Sequence, residues 1–174
     1  MNIALTISVL NDLDILACDI KGDYLNAECR KIFYTISGSE FGSEEGVIMI
    51  VNMALYIMKS SGVSFRAKLV KVLHGLNYRT TKSNPGVWLR AGTKDNGTNY
   101  WEMTLCYVDN VLVISKHPKH TIEGLNMKFI LKGDTVKSST MYLRENPNIV
   151  ENESGSKCVT MSSKDYVNMA VQNV

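Results

Sequence analysis

Residues 100–115 read YWEMTLCYVDNVLVIS, and this stretch decides the fold. Trp101, Met103, Leu105 and Tyr107 alternate with Tyr100, Glu102, Thr104 and Cys106; Val108-Asp109-Asn110 then interrupts the pattern and Val111 to Ile114 resumes it. A period of two on one side of a short break, with an apolar run on the other, predicts a β-hairpin with Asp109 at its tip. Upstream, Ile15 to Ile20 is another strand-like run, and Asp19 sits at its end. If that strand lies beside the hairpin, carboxylates from two distant segments converge. Such a pair is the geometry that holds divalent cations for phosphoryl or nucleotidyl transfer.

The rest of the composition bounds the answer without adding to it. A chain of 174 residues, 45% hydrophobic, is long enough for a single domain with a real core. Nineteen Lys and Arg against 17 Asp and Glu leave a net charge of +2, too weak to argue nucleic-acid binding by itself. Cys18, Cys29, Cys106 and Cys158 are irregularly spaced, without the close pairs of zinc ribbons or redox motifs, so reduced thiols are expected. No run of about 18 apolar residues exists, and Met1 to Leu10 lacks the basic start and cleavage site of a secretory signal. These features predict a soluble intracellular chain, in the cytoplasm or the nucleus.

Around the hairpin, Asn2 to Asn11 suits a short amphipathic helix with Ile3, Ile7 and Leu10 on one face. Ile32 to Ile36 and Val47 to Val51 are strand candidates, a hairpin-like pair across the loop SGSEFGSEEG. Phe65, Leu69, Val72 and Leu76 fall at helical spacing, with Arg66, Lys68 and Lys71 on the remaining positions. Asn84-Pro85-Gly86 marks a turn before a strand from Val87 to Leu89, Lys94-Asp95-Asn96-Gly97 a loop, and Thr121 to Leu131 a further helix. Met141 to Leu143 and Cys158 to Met161 read as strands, and Ser162-Ser163-Lys164-Asp165 as a capping box opening a helix through Val174. The alternation of strands and helices, with no internal repeat, predicts one α+β layer structure.

Other residues have bland readings. His117 and His120 could be imagined as metal ligands, but Lys116-His117-Pro118-Lys119-His120 reads as a solvated basic loop. Lys128, Lys132 and Lys137 could contact a nucleic-acid backbone, though such lysines are usually solvated. Trp88 and Trp101 read as core or strand-face packing rather than base-stacking platforms.

Taken in order, ACDIKGDYLNAECRKIFY, SGSEFG, MALYIMKSSGVSFRAKL, SNPGVWLR, YVDNVLVIS and MSSKDYVNMAVQNV resemble the reverse transcriptase domain of copia-type long-terminal-repeat retrotransposons. The resemblance implies a polymerase palm, with a central antiparallel sheet carrying Asp19 and Asp109 on one face and helices packed on the other. It makes Asp19 and Asp109 the catalytic carboxylates, binding two Mg²⁺ (or Mn²⁺) ions. One ion activates the primer 3′-hydroxyl; the other holds the nucleotide phosphates and stabilises the leaving pyrophosphate. It also implies a metal contact from the Ile20 carbonyl and places Asn110 at the second hairpin position. Tyr24 would lie under the nucleotide sugar, and Lys59, Ser60, Ser61 and Gly62 near the template and incoming base. The implied partners are an RNA template with its DNA primer, and deoxynucleotides.

The departures from the family pattern matter equally. Asn110 stands where the family has a second hairpin Asp, and an amide brings no negative charge to a cation site. Ile57 replaces a Gly in the LYGLK-like segment. Phe65 replaces a Trp, Arg144 replaces a Gly, and Pro147 enters a strand-like region. Fingers upstream and thumb and ribonuclease H downstream are expected to be missing. The sequence therefore predicts a degenerate palm fragment with little or no polymerase activity. The alternatives are a non-catalytic fragment that binds nucleic acid or a partner polyprotein, and a relic with no selected role.

Overall fold

A computed structural model describes the whole chain except positions 1, 30, 57, 134–141, 143–145, 152, 156, 165–167, 169–170 and 172–174. The elements run α1 (Asn2–Leu10), β1 (Asp14–Asp19), β2 (Tyr34–Ile36), β3 (Ile48–Ile50), α2 (Ser61–Gly75), β4 (Arg79–Thr80), β5 (Val87–Thr93), β6 (Asn99–Tyr107), β7 (Asn110–Ser115), α3 (Pro118–Asn126), β8 (Asn146–Glu151) and β9 (Lys157–Ser162). The architecture is α+β, with a five-stranded antiparallel sheet and packed helices. Two compact units divide the chain: Met1–Lys21 with Leu73–Val174, and Gly22–Val72.

In the first unit the sheet order is β1-β7-β6-β5-β4. The run around Asp109 folds as the expected hairpin, with Tyr107 opposite Asn110 and Met103 opposite Ile114. β1 pairs with the outer edge of β7, Ile15 opposite Ile114 and Asp19 opposite Asn110. Because side chains alternate along a strand, Ile15, Ala17, Met103, Leu105, Leu112 and Ile114 form one layer, joined by Ala4 and Leu5 of α1. The intervening residues Cys18, Thr104, Val111 and Val113 are buried as well, so the central strands are covered on both sides. That double cover explains why Val111 to Ile114 reads as an uninterrupted apolar run rather than an alternating one.

A buried polar network supports the hairpin. Arg90 Nε and Nη2 both lie 2.5 Å from Glu102 Oε2. Ser115 Oγ (3.0 Å) and the Tyr100 hydroxyl (3.1 Å) donate to Glu102 Oε1. Arg90 Nη2 reaches Thr121 Oγ1 of α3 at 3.2 Å, and the Tyr78 hydroxyl lies 2.9 Å from the same oxygen. Glu102 thus has partners on both carboxylate oxygens, which is what makes a buried charge tolerable.

Three expectations need correction. α1 forms where expected but buries a different face: Ile3 and Leu10 are each 78% exposed, whereas Leu5 and Ser8 are buried and Ile7 is half-buried. An apolar residue count cannot choose the face when six of the nine positions are apolar and the polar Ser8 is itself buried; the sheet chooses it. α3 begins at Pro118 and ends at Asn126 instead of spanning Thr121 to Leu131. His117 is its N-cap residue and His120 lies in its first turn, so the basic loop is a helix start, with Pro at a position where its missing N–H costs nothing. Trp88 is buried as expected, but Trp101 is 61% exposed.

β8 and β9 form a separate antiparallel ribbon, containing the expected strand at Cys158 to Met161, and Pro147 lies in it opposite Met161. Of the expected Met141 to Leu143 strand, only Tyr142 is described, buried in the core layer. Arg144 and most of the expected C-terminal helix, Asp165 included, fall outside the described residues.

In the second unit, β2 and β3 pair antiparallel as expected, though each spans three residues. The intervening loop contains a 3₁₀ turn over Ser39–Glu44, with Gly42 at φ 56°. α2 enters this unit from Ser61 to Val72, burying Phe65 and Leu69. Beyond it Leu73 is fully buried, while Val72 and Leu76 are half-buried. The helix therefore presents a strict i, i+4 stripe of 65, 69 and 73. The Lys68 ammonium donates to the Asn26 carbonyl at 2.6 Å rather than extending into solvent.

Removing Glu102 strands the Arg90 charge. Glu102→Ala is expected to cost about 3 kcal/mol in urea unfolding, and Glu102→Gln clearly less. Equal losses for the two variants would show that the carboxylate charge is immaterial.

Candidate active site

Two backbone ladders fix Asp19. On one side β1 pairs with β7, and the Ile20 N–H donates to the Asp109 carbonyl at 2.9 Å. On the other, Ile20 bridges antiparallel to Leu131; the Lys132 N–H donates to the Asp19 carbonyl and the Lys21 N–H to the Ile130 carbonyl, both at 2.8 Å. Asp19 therefore lies between Asn110 and Lys132 as cross-strand neighbours, with the hairpin tip beside it. The convergence of Asp19 and Asp109 expected from the sequence is present.

The hairpin tip is the two-residue turn Val108-Asp109. Val108 has φ 53°, a left-handed conformation that β-branched residues avoid and that such turns normally give to Gly. Asn110 donates its side-chain Nδ2 to Asp109 Oδ1 at 3.0 Å. A carboxylate at that position would repel Asp109 where the amide attracts it.

Lys132 supplies the positive charge. Its Nζ lies 2.6 Å from Asp19 Oδ1 and 3.5 Å from Asp109 Oδ2. Asp19 Oδ1 is buried and has no hydrogen-bond partner of acceptable angle, so the short approach of Lys132 is a charge contact. Burial pushes the Asp19 carboxyl above the usual carboxylate range; Lys132 opposes that shift and the Asp109 charge reinforces it. The same contact with Asp19 raises the Lys132 ammonium above an ordinary lysine. By sequence alone Lys132 is one of several lysines expected to be solvated or to contact phosphate. The apolar triplet Phe129-Ile130-Leu131 before it was the available sign of a strand-like segment.

Tyr24, Lys59, Ser60, Ser61 and Gly62 belong to the second unit. There Tyr24 and Gly62 are neighbours: a Cβ on Gly62 would stand 3.9 Å from the Tyr24 ring and hydroxyl, ordinary contact. Tyr24 also packs on Tyr56, ring centroids 4.8 Å apart, and meets Phe65 edge-on at 6.3 Å. Tyr56 in turn donates to Asp23 at 2.5 Å. Ser61 is buried and donates its hydroxyl to the Leu55 carbonyl, whereas Lys59 is exposed. Ile57 lies outside the described residues.

Among the described residues no three His, Cys, Asp or Glu side chains group as metal ligands. His117 and His120 have ring centroids 5.7 Å apart, and His117 Nε2 lies 3.6 Å from Asp95. The Asp19–Asp109 pair still suits one small hard cation. Magnesium is commonly held by one or two carboxylates, with substrate phosphate and water completing its shell, and Asp19 Oδ1, met here by the Lys132 ammonium, is an oxygen of that type.

Cys18, next to Asp19, is buried, and desolvation together with the Asp19 charge pushes its thiol up to about 12. Since the thiolate is the reactive form, Cys18 should stay unmodified by a maleimide at pH 8 while the exposed Cys158 is labelled. Peptide mass spectrometry reads this, and fast native labelling of Cys18 would contradict the burial. Val108→Gly, by relieving the left-handed strain, should raise unfolding stability by about 0.5–1 kcal/mol. A loss of stability would mean that the valine side chain contributes more than the strain costs.

No curated protein matches the chain significantly. The family described as Reverse transcriptase (RNA-dependent DNA polymerase) matches residues 1–174. With two carboxylates from distant segments meeting at a hairpin tip in an antiparallel sheet, and with that match over its full length, this chain belongs to the reverse transcriptase family.

Proposed function

We propose that the chain is the palm of a copia-type retrotransposon reverse transcriptase, built for two-metal nucleotidyl transfer and now catalytically impaired. The observation that carries this reading is the meeting of Asp19 and Asp109 beside an Asn110 that donates to Asp109 instead of adding a charge. Divalent ions held there would supply Lewis-acid activation of a primer hydroxyl and neutralisation of the leaving pyrophosphate.

The protein's own part is binding and orientation. Asp19 and Asp109 present their oxygens from a rigid sheet, with the Ile20 carbonyl as a further ligand and Asn110 as a neutral one. Tyr24 serves the sugar of an incoming deoxynucleotide, and Lys59, Ser60, Ser61 and Gly62 the template side, so the partners are an RNA template, its DNA primer and deoxynucleotides. With two negative charges rather than three, the site holds Mg²⁺ or Mn²⁺ weakly. The described cysteines are all free thiols, which suits a reducing intracellular compartment. Among the described residues no helix is long and apolar enough to cross a membrane.

The Lys132 ammonium set between the two carboxylates favours a second reading, a non-catalytic fragment that binds nucleic acid through the palm surface. Salt-dependent duplex binding unaffected by Asp19→Ala would favour it.

Mn²⁺-dependent primer extension on an RNA template tests the first reading. The unaltered chain and Asp109→Ala are expected to be silent, and Asn110→Asp combined with Ile57→Gly to show extension. Activity in the unaltered chain that Asp109→Ala abolishes would overturn the impairment. Silence in all three would count against decay at those two positions.

A further inference from the structure

Two carboxylates that converge are stabilised by positive charge beside them, and this fold carries its own. Lys132 is fixed by its backbone opposite Asp19, through its own N–H on the Asp19 carbonyl and the Ile20–Leu131 bridge. Its Nζ meets Asp19 at 2.6 Å and Asp109 at 3.5 Å, in the space between the two carboxylates. A cation tethered in this way has a high effective concentration at the pair, independent of the metal in solution. Its side chain is 51% exposed, so the ammonium can leave for water without opening the core.

We propose that Lys132 is a tethered counter-ion that occupies the cation position of this chain and competes with divalent metal for Asp19 and Asp109. The inference rests on the carboxylate pair being the metal site. Asp19 and Asp109 carry two negative charges and Lys132 one positive, so an arriving ion meets a net charge of −1 until the lysine is displaced. Asn110 tilts the competition further: its amide occupies Asp109 Oδ1 and adds no charge to the metal's side. Lys132 is thus an autoinhibitory contact that makes metal entry an exchange of one cation for another.

The test is Mn²⁺ binding, read from the loss of the free-ion paramagnetic resonance signal, on the full chain, Lys132→Met, Lys132→Arg, Asp19→Asn and Asp109→Asn. Lys132→Met keeps the stem and removes the charge, and should tighten Mn²⁺ binding by about tenfold or more. Lys132→Arg should remain as weak as the full chain. In the unmodified chain, a Mg²⁺ titration followed on the Lys132 side-chain carbon resonance should move that signal towards solvated lysine with the midpoint of Mg²⁺ binding. This second measurement stands even where a variant does not fold. Unchanged or weaker binding in Lys132→Met, or Mg²⁺ binding without movement of the Lys132 signal, overturns the proposal while leaving the carboxylate pair intact. Binding that survives both Asp19→Asn and Asp109→Asn, or absence of Mn²⁺ binding in every variant, overturns the metal-site reading itself and the proposal with it.

Discussion

The antiparallel pairing of β1 with β7 is the constraint on which the site depends. It sets Asp19 opposite Asn110 and lets Ile20 donate to the carbonyl of Asp109, so the strand end and the hairpin tip are one hydrogen-bonded unit. A slip of one residue would turn Asp19 to the other side of the sheet and bring Cys18 into its place. The packing forbids the slip: Ile15 and Ala17 belong to the apolar layer with Leu112 and Ile114, and a shifted register would invert that layer.

The electrostatics follow from this closeness. A half-buried carboxylate with a second one beside it is unfavourable in a folded chain, and Asp19 shows the cost in its raised pKa. Two neighbours offset it, the Asn110 amide on Asp109 and the Lys132 ammonium on both carboxylates. The same two residues bring one positive charge and one amide donor to the carboxylate pair. Elsewhere, the Arg90–Glu102 network stabilises a buried charge with many fixed partners, and nothing there is available for exchange.

Much of the framework was legible in sequence because it is local. The hairpin around Asp109, the strand ending at Asp19, the β2–β3 pair and α2 each announce themselves by period, length and turn residues within about ten positions. Where tertiary contacts decide, the reading failed. α1 carries apolar residues on more than one face, and only the layer beneath it selected Leu5 and Ser8 over Ile3 and Leu10. α3 starts at Pro118, where Pro suits a first helical position, a local signal masked by the surrounding run of Lys and His that reads as a solvated loop.

For the site, the sequence by itself determined the identities of Asp19, Asp109 and Asn110 and the family to which their segments point, since each is a residue identity in a local pattern. Only the tertiary structure decided that Lys132, more than a hundred positions from Asp19, stands between them. No periodicity reports that contact. It exists because the Ile20–Leu131 bridge lays a distant segment along the open side of β1, and backbone hydrogen bonds pair segments by geometry rather than by side-chain identity.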